Sequence, residues 1–308
     1  MSKHVVIAGG SGFLGQALVV HLNGIGYRTT VLTRSSVDRN GFVQWDGATA
    51  GAWITHLEGA AAIINLTGRS VDCRYTATNR QEIIQSRVNS IKALSAGLRR
   101  CSKPPPVWIQ ATSLAIYGDA GEMICHDDAP HGVGFSVDVC KTWESELENQ
   151  HLPDTRIVVL RIGFALAASG GALGRLATLT KLCLGGSVGN GRQYISWLHL
   201  NDLNRIFEWC LENQAASGVY NATGPSPVTN KAFMAALRRS LKRPWSPPTP
   251  SFAVRLGAFL MGTDASLALT GRRCVPTRLL NEGFRFEYTD LELCLRNIFA
   301  SQHAMAEI

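Results

Sequence analysis

The stretch HVVIAGGSGFLGQAL, residues 4–18, constrains this chain more than any other. Five mostly apolar residues run into Gly9, Gly10, Gly12 and Gly15, and an apolar run with helical spacing follows. Glycine loses more backbone freedom on folding than any other residue, so such a cluster needs a compensating use: a positive φ, or another group pressed against the backbone. Gly9-x-x-Gly12-x-x-Gly15 between a strand and a helix supplies a tight turn, room for a pyrophosphate and close packing of helix on sheet. The helix start then aims backbone N–H groups at the phosphates. A purely structural turn is the plainer alternative, and the position after the first strand of an alternating unit favours the ligand.

The alternation continues. Strand-like HVVIA (4–8), TTVLT (29–33), FVQW (42–45), AAIINLTG (61–68), VWIQAT and TRIVVLRIG (155–163) are interleaved with helix-like 14–26, 77–99 and 135–149. This order predicts an α/β fold with a Rossmann-type doubly wound parallel sheet, whose ligands bind beyond the carboxyl ends of the strands. After residue 164 the alternation loosens. The proline-rich RPWSPPTP (243–250) marks a boundary, giving a dinucleotide-binding domain over 1–243 and a smaller, mainly helical C-terminal cap over 244–308. Residues 164–200 are expected to contribute to the substrate cleft.

Composition narrows the class. At 308 residues, 45% hydrophobic and 17% charged, the chain is an ordinary globular protein, with no apolar run long enough to span a membrane. No signal-peptide layout precedes the first strand, so a cytoplasmic location is expected. The eight cysteines are scattered without metal-ligand spacing and are expected as reduced thiols; no metal is predicted. A formal charge of +7 suits an anionic ligand. The densest basic cluster, Arg238, Arg239, Lys242 and Arg243, is expected as a solvated helix end rather than a nucleic-acid surface.

The end of the second strand selects the dinucleotide. An NAD site carries an acid there for the ribose 2′-hydroxyl, whereas this strand ends Thr33-Arg34-Ser35-Ser36, with no acid until Asp38. Arg34 can clamp a 2′-phosphate through charge-assisted hydrogen bonds, so NADP(H) is the expected cofactor.

GGSGFLG, NLTG at 65–68, SRVNSIKAL at 86–94 and ATSLAIYG at 111–118 resemble the extended short-chain dehydrogenase/reductases, relatives of the sugar-nucleotide epimerases and dehydratases. SGGALGRL, GNGRQYISWLHLNDL, GVYNATGPSPVTN and RRCVPTRLLNEGFRF narrow the resemblance to an epimerase-like family, labelled a cell-division-inhibitor homologue, that ends in a small domain of unknown function. The resemblance implies cofactor roles for Gly9, Ser11, Gly12, Phe13, Leu14, Gly15 and Arg34. It extends them to Leu66, Thr67 and Gly68 along the adenosine and ribose, Asn89 nearby, and Gly163 and Phe164 at the nicotinamide. It also implies pairing of two copies through the helix around 136–149, although no apolar patch in the sequence fixes this.

Catalysis departs from the superfamily pattern. Those enzymes use a Ser to orient the substrate oxygen, and a Tyr four residues before a Lys to move the proton. Ser113 matches the serine, with a hydroxyl satisfying a strand end as its plainer reading, and Lys141 falls at the lysine, with a helix-surface lysine as its own, but Val137 stands where the tyrosine belongs, and valine moves no proton. Tyr117 is the nearest substitute, but a packing or pocket-lining role is the favoured reading for it, since a Tyr at this YG position accompanies the catalytic one in the superfamily. Arg192, Gln193, Trp197 and His199 are expected toward a small-molecule substrate, with His199 read as a satisfied structural histidine ahead of a base, and Asp202 as a helix N-cap. The expected activity is that of an NADP(H)-dependent epimerase or oxidoreductase with a nonstandard proton donor. A non-catalytic NADP(H) sensor or interaction module is the alternative.

Overall fold

The computed structural model describes residues 3–35, 40–168, 170–243 and 245–306; Asp38 lies outside them. Its centre is a seven-stranded, all-parallel sheet. The strands are β1 (His4–Ala8), β2 (Arg28–Thr33), β3 (Phe42–Gln44), β4 (Ala62–Asn65), β5 (Val107–Ser113), Arg156–Ile162 and Gly218–Ala222. In space they run 218–222, 156–162, β5, β4, β1, β2, β3. From β1 the chain moves outward through β2 to β3 and then returns to the other side of β1 as β4. The strand order therefore reverses between β1 and β4, and a crevice opens beyond their carboxyl ends.

Both faces are covered, which is why β1 is apolar at every position. Side chains alternate across a strand. Val5 and Ile7 face α1 (Phe13–Gly24) and α5 (Leu200–Glu212), meeting Leu18, Leu22, Ile206 and Phe207. Val6 and Ala8 face α2 (Ala77–Leu98) and α3 (Phe135–Glu148), in a core with Ile91, Leu94, Trp143 and Leu147. Each fully buried aliphatic side chain contributes about 1.5–3 kcal/mol from removal of apolar surface. Together these cores fix the rims on which the loops sit.

The C-terminal region is mainly helical. Its residues enter three cores shared with the rest of the chain. Leu279 and Phe284 join the α1/α5 side of the sheet, and Cys274 joins Cys125, Cys140 and Tyr117. Leu291, Leu295 and Ile298, on the helix Leu291–Ala306, join Phe233 and Leu237 of α6 (Asn230–Ser240) and Leu173 of α4 (Gly171–Lys181). Among the described residues, no helix is long and apolar enough to cross a membrane.

Candidate active site

The glycine turn is built as the spacing requires. Gly9 has φ +78°, and a Cβ there would lie 3.0 Å from the Leu66 carbonyl carbon and the Thr67 nitrogen, so the turn after β1 is held against the turn after β4. Gly15 is tighter: its Cβ would fall 2.4 Å from the Gly10 Cα, which is how α1 approaches the sheet. Gly12, the N-cap of α1, is different. A Cβ there would meet only the Gly9 carbonyl oxygen, at 3.5 Å, leaving the space before the helix N-terminus clear for an anion.

That space belongs to a crevice of about 300 Å³ lined by Gly9, Ser11, Gly12, Thr33, Arg34, Leu66, Thr67, Gly68 and Asn89, all but Thr33 expected from the sequence. Trp45, Asp46, Arg69 and Ser86 are among the further lining residues that have no forewarning in sequence. Arg34 stands exposed at the crevice. Across from it Arg69 is braced, pairing with Glu82 and donating to Asn79 Oδ1 at 2.8 Å. Asp46 is the acid of the lining, but its carboxylate accepts from the backbone N–H groups of Ala48 and Thr49 at 2.8 Å and from the Thr49 hydroxyl. These bonds lower its pKa and tie it to its own turn. Phe13 and Leu14 turn away from the crevice: the Phe13 ring packs on Gly170 and Gly171, and Leu14 packs on the α1/α5 core.

At the end of β5, Ser113 caps a short 3-10 turn (Leu114–Tyr117), its Oγ accepting from the Ala115 N–H at 3.1 Å. Gly163 is packed tightly nearby. A Cβ on it would meet the Ser196 carbonyl oxygen at 2.5 Å, and the Phe164 N–H donates to that oxygen at 2.8 Å.

Tyr117 is 1% exposed, and its hydroxyl is fully engaged. It accepts from Arg161 Nη1 at 2.9 Å and lies 2.8 Å from Asn221 Oδ1 and 2.9 Å from the His126 carbonyl oxygen. Burial pushes its pKa up to about 12. Arg161 in turn grips the buried Glu144 with two nitrogens, at 3.0 and 2.7 Å, and Glu144 accepts from Thr112 at 2.9 Å. Tyr117 thus belongs to a buried network holding α3 to β5, with its hydroxyl proton committed inside the fold.

The α3 register also differs from the sequence expectation. Val137 is 1% exposed, and Lys141 is exposed, its Nζ 3.5 Å from the Gly132 carbonyl oxygen. The residues that reach β5 are Cys140 and Glu144, an i, i+4 pair one residue out of step with Val137 and Lys141. Cys140 Sγ donates to the Ser113 carbonyl oxygen at 3.7 Å, and Glu144 reaches Thr112. At the start of α3, Tyr75 packs edge-on against Phe135 with ring centroids 4.8 Å apart. Its hydroxyl is covered beside Ser136 without a well-formed hydrogen bond, and burial raises its pKa.

Three of the four residues expected toward substrate are engaged within the fold. Trp197 Nε1 donates to the Ser226 carbonyl oxygen at 2.7 Å from a fully buried position. Gln193 bridges the carbonyl oxygens of Val188 and Ala268, each at 3.0 Å, and Arg192 is exposed. His199 stacks on Tyr288 and is itself the N-cap of α5, its Nδ1 accepting from the Asn201 N–H at 3.0 Å. Asp202 is therefore not the cap. It lies fully buried in the first turn and accepts from the N–H groups of Glu287 and Tyr288, both at 2.9 Å, anchoring the C-terminal region.

Residues 5–133 match the NAD dependent epimerase/dehydratase family, and residues 249–298 match a domain of unknown function, DUF1731. The epimerase family protein YfhF of Bacillus subtilis is 31% identical over 97% of this chain and 99% of its own length. The human epimerase family protein SDR39U1 is 32% identical over 96% of this chain and 99% of its own. The crystal structure of human SDR39U1 (isoform 2) with NADPH superposes with a TM-score of 0.86, at 29% identity, covering 96% of this chain and 98% of that one. A nucleoside-diphosphate sugar epimerase from Corynebacterium glutamicum gives 0.78 at 26% identity, covering all of this chain and 62% of that one. With its switch-point crevice, its glycine turn and these full-length likenesses, the chain belongs to the NAD-dependent epimerase/dehydratase family of extended short-chain dehydrogenase/reductases, in the branch that carries a DUF1731 C-terminal domain.

Proposed function

We propose that the protein is an NADPH-dependent reductase or epimerase acting on a small carbonyl compound. The observation that carries this reading is the crevice at β1, β2 and β4. It offers a glycine-clear helix N-terminus, the Arg34 guanidinium and the Ser11 and Thr33 hydroxyls, while its acid is committed to the 46–49 turn. That is a setting for a dinucleotide with an added phosphate, and the human relative solved with NADPH supports it. The bound nicotinamide supplies or accepts a hydride.

The chain's own part is to hold the carbonyl oxygen at Ser113, whose Oγ accepts one backbone hydrogen bond and keeps its proton to donate. We assign the proton to Tyr75, the phenol near this face whose hydroxyl lies beside Ser136 and outside the Arg161–Tyr117 network. Following NADPH at 340 nm over a panel of carbonyl compounds tests the reading. Consumption abolished by Ser113→Ala and cut about 10²- to 10⁴-fold by Tyr75→Phe, the range for loss of a positioned acid, is expected. The pair Cys140 and Glu144 that reaches β5 is not the tyrosine–lysine pair of the superfamily, which favours the second reading, a non-catalytic NADPH sensor. Tight NADPH binding without consumption of any carbonyl would establish that reading instead.

A further inference from the structure

Two cysteines from distant parts of the chain stand side by side where the C-terminal region meets the rest of the fold. Ile124–Cys125 and Arg273–Cys274 form a two-stranded parallel ribbon, and its register pairs Cys274 directly with Cys125. Neighbouring strands lie about 4.7–4.9 Å apart, within the Cα separation of about 4.4–6.8 Å that a disulfide spans. Register partners also project to the same side of a ribbon. Both side chains are accordingly fully buried in one core, with Ile116, Tyr117 and Cys140, and both are free thiols. The backbone is fixed at this point from several directions. The Cys125 carbonyl oxygen accepts from the Val275 N–H at 3.1 Å and from Asn221 Nδ2 at 3.2 Å, and the Cys274 N–H donates to Ser196 Oγ at 2.8 Å. On either side of Cys125, Ile124 is 43% exposed and His126 is exposed, so the pair lies one residue beneath the surface.

The two thiols are not equivalent. Hydrogen bonding by the Cys274 thiol lowers the pKa of Cys125 against the cost of burial, with help from the Arg272 charge, whereas burial raises that of Cys274. The thiolate is the nucleophilic form, so Cys125 is suited to attack and Cys274 to resolve. Cys140, the third cysteine of the core, is engaged otherwise: its Sγ donates to the Ser113 carbonyl oxygen at 3.7 Å, and burial pushes the thiol up to about 12. We propose that Cys125 and Cys274 are a reversible disulfide site, oxidised by a small hydroperoxide, that ties the C-terminal region covalently to the segment following the Leu114–Tyr117 turn. The Cys125 sulfur attacks one peroxide oxygen and the O–O bond breaks. The departing oxygen takes the Cys125 proton and leaves as water or an alcohol, and Cys125 becomes a sulfenic acid. The Cys274 sulfur then attacks the Cys125 sulfur, the S–O bond breaks, and the hydroxyl leaves as water with the Cys274 proton. The two electrons given up by the thiols reduce the peroxide. The bond reinforces a cap on the sheet edge: Arg273–Cys274 leads into the helix Thr277–Asn281, from which Arg278 Nη1 donates to the Val219 carbonyl oxygen of the edge strand Gly218–Ala222 at 2.7 Å. This site is independent of the carbonyl chemistry proposed above.

The test reduces the full chain with dithiothreitol, removes the reductant and treats the folded protein with hydrogen peroxide until the exposed Cys183 is fully oxidised and the pattern stops changing. Remaining thiols are then alkylated in urea and the peptides mapped by mass spectrometry without reduction. A linked pair of peptides holding Cys125 and Cys274, lighter by two hydrogens than the reduced peptides and returned to two alkylatable thiols by dithiothreitol, is expected. The oxidised chain should melt about 5 °C or more above the reduced one, because a cross-link between distant residues restricts the unfolded chain. Cys274→Ala should remove both the linked pair and the rise in melting temperature, leaving Cys125 as a sulfenic acid that dimedone traps. The map of the unmutated chain decides the matter even where that variant does not fold. Full alkylation of Cys125 and Cys274 after the oxidation of Cys183, a link from either of them to Cys140, or a melting temperature unchanged or lowered by the bond would overturn the proposal.

Discussion

Tyr117→Phe separates a structural phenol from a catalytic one. The substitution keeps the ring, which is 1% exposed, and removes only the hydroxyl. Two kinds of bond go with it. One is charge-assisted, from Arg161 Nη1 at 2.9 Å, and a bond of this class contributes about 1.5–3 kcal/mol. The other is the phenol's own donation, toward Asn221 Oδ1 at 2.8 Å or the His126 carbonyl at 2.9 Å, a neutral bond of about 0.5–1.5 kcal/mol. Arg161 Nη1 keeps the Asp127 carbonyl at 3.1 Å, so it is not orphaned and the loss is not larger. A destabilisation of about 2–4.5 kcal/mol is therefore expected in urea unfolding, with NADPH affinity changed less than twofold and turnover per folded molecule retained. Unchanged stability, or intact stability with turnover lost, would refute the structural assignment.

Three further outcomes follow from named positions. Gly12→Val should leave the circular dichroism spectrum native, since a side chain there meets only one backbone oxygen, at 3.5 Å; it should abolish NADPH binding, and retained binding would remove the phosphate role of the turn. Val137→Tyr should lower the urea midpoint by overpacking a fully buried site, at about 1–3 kcal/mol, rather than create a reductase. Tyr117 and Tyr220 are both pushed up to about 12 by burial, above the value near 10 of an unfolded tyrosine. The folded chain keeps protons that the unfolded chain releases, so stability should be full below pH 10 and fall as pH rises from about 10 to 12, and a phenolate absorbance at 295 nm complete by pH 10.5 would contradict this.

The parts of the fold that the sequence makes legible are those fixed by near neighbours. The strand β1, the glycine turn and α1 are contiguous, and Gly9 and Gly15 are needed for contacts visible as spacing. Arg34 is legible because it ends a strand adjacent to that turn. Trp45, Asp46 and Arg69 reach the same crevice only because the chain crosses the sheet between β3 and β4, which no local pattern encodes.

On α3 the ambiguity is one residue wide. Val137/Lys141 and Cys140/Glu144 are both i, i+4 pairs, and the one that reaches β5 is chosen by Glu144 seating on Arg161 and Thr112, a contact made across two strands. Three of the residues expected toward substrate are engaged in the fold for a related reason. A tryptophan, a glutamine and a histidine near a cleft look available in sequence, but Trp197, Gln193 and His199 each hydrogen-bond a backbone group of the fold.

The central claim, an NADP(H) site built on Gly12 and Arg34, is tested most directly by calorimetric titration of NADPH and NADH into the unmutated chain and into Arg34→Ala. The account predicts tighter binding of NADPH, with Arg34→Ala weakening NADPH by about 1.5–3 kcal/mol, the contribution of a hydrogen bond to a charged group, and leaving NADH little changed. Equal affinities for the two nucleotides in the unmutated chain would contradict it.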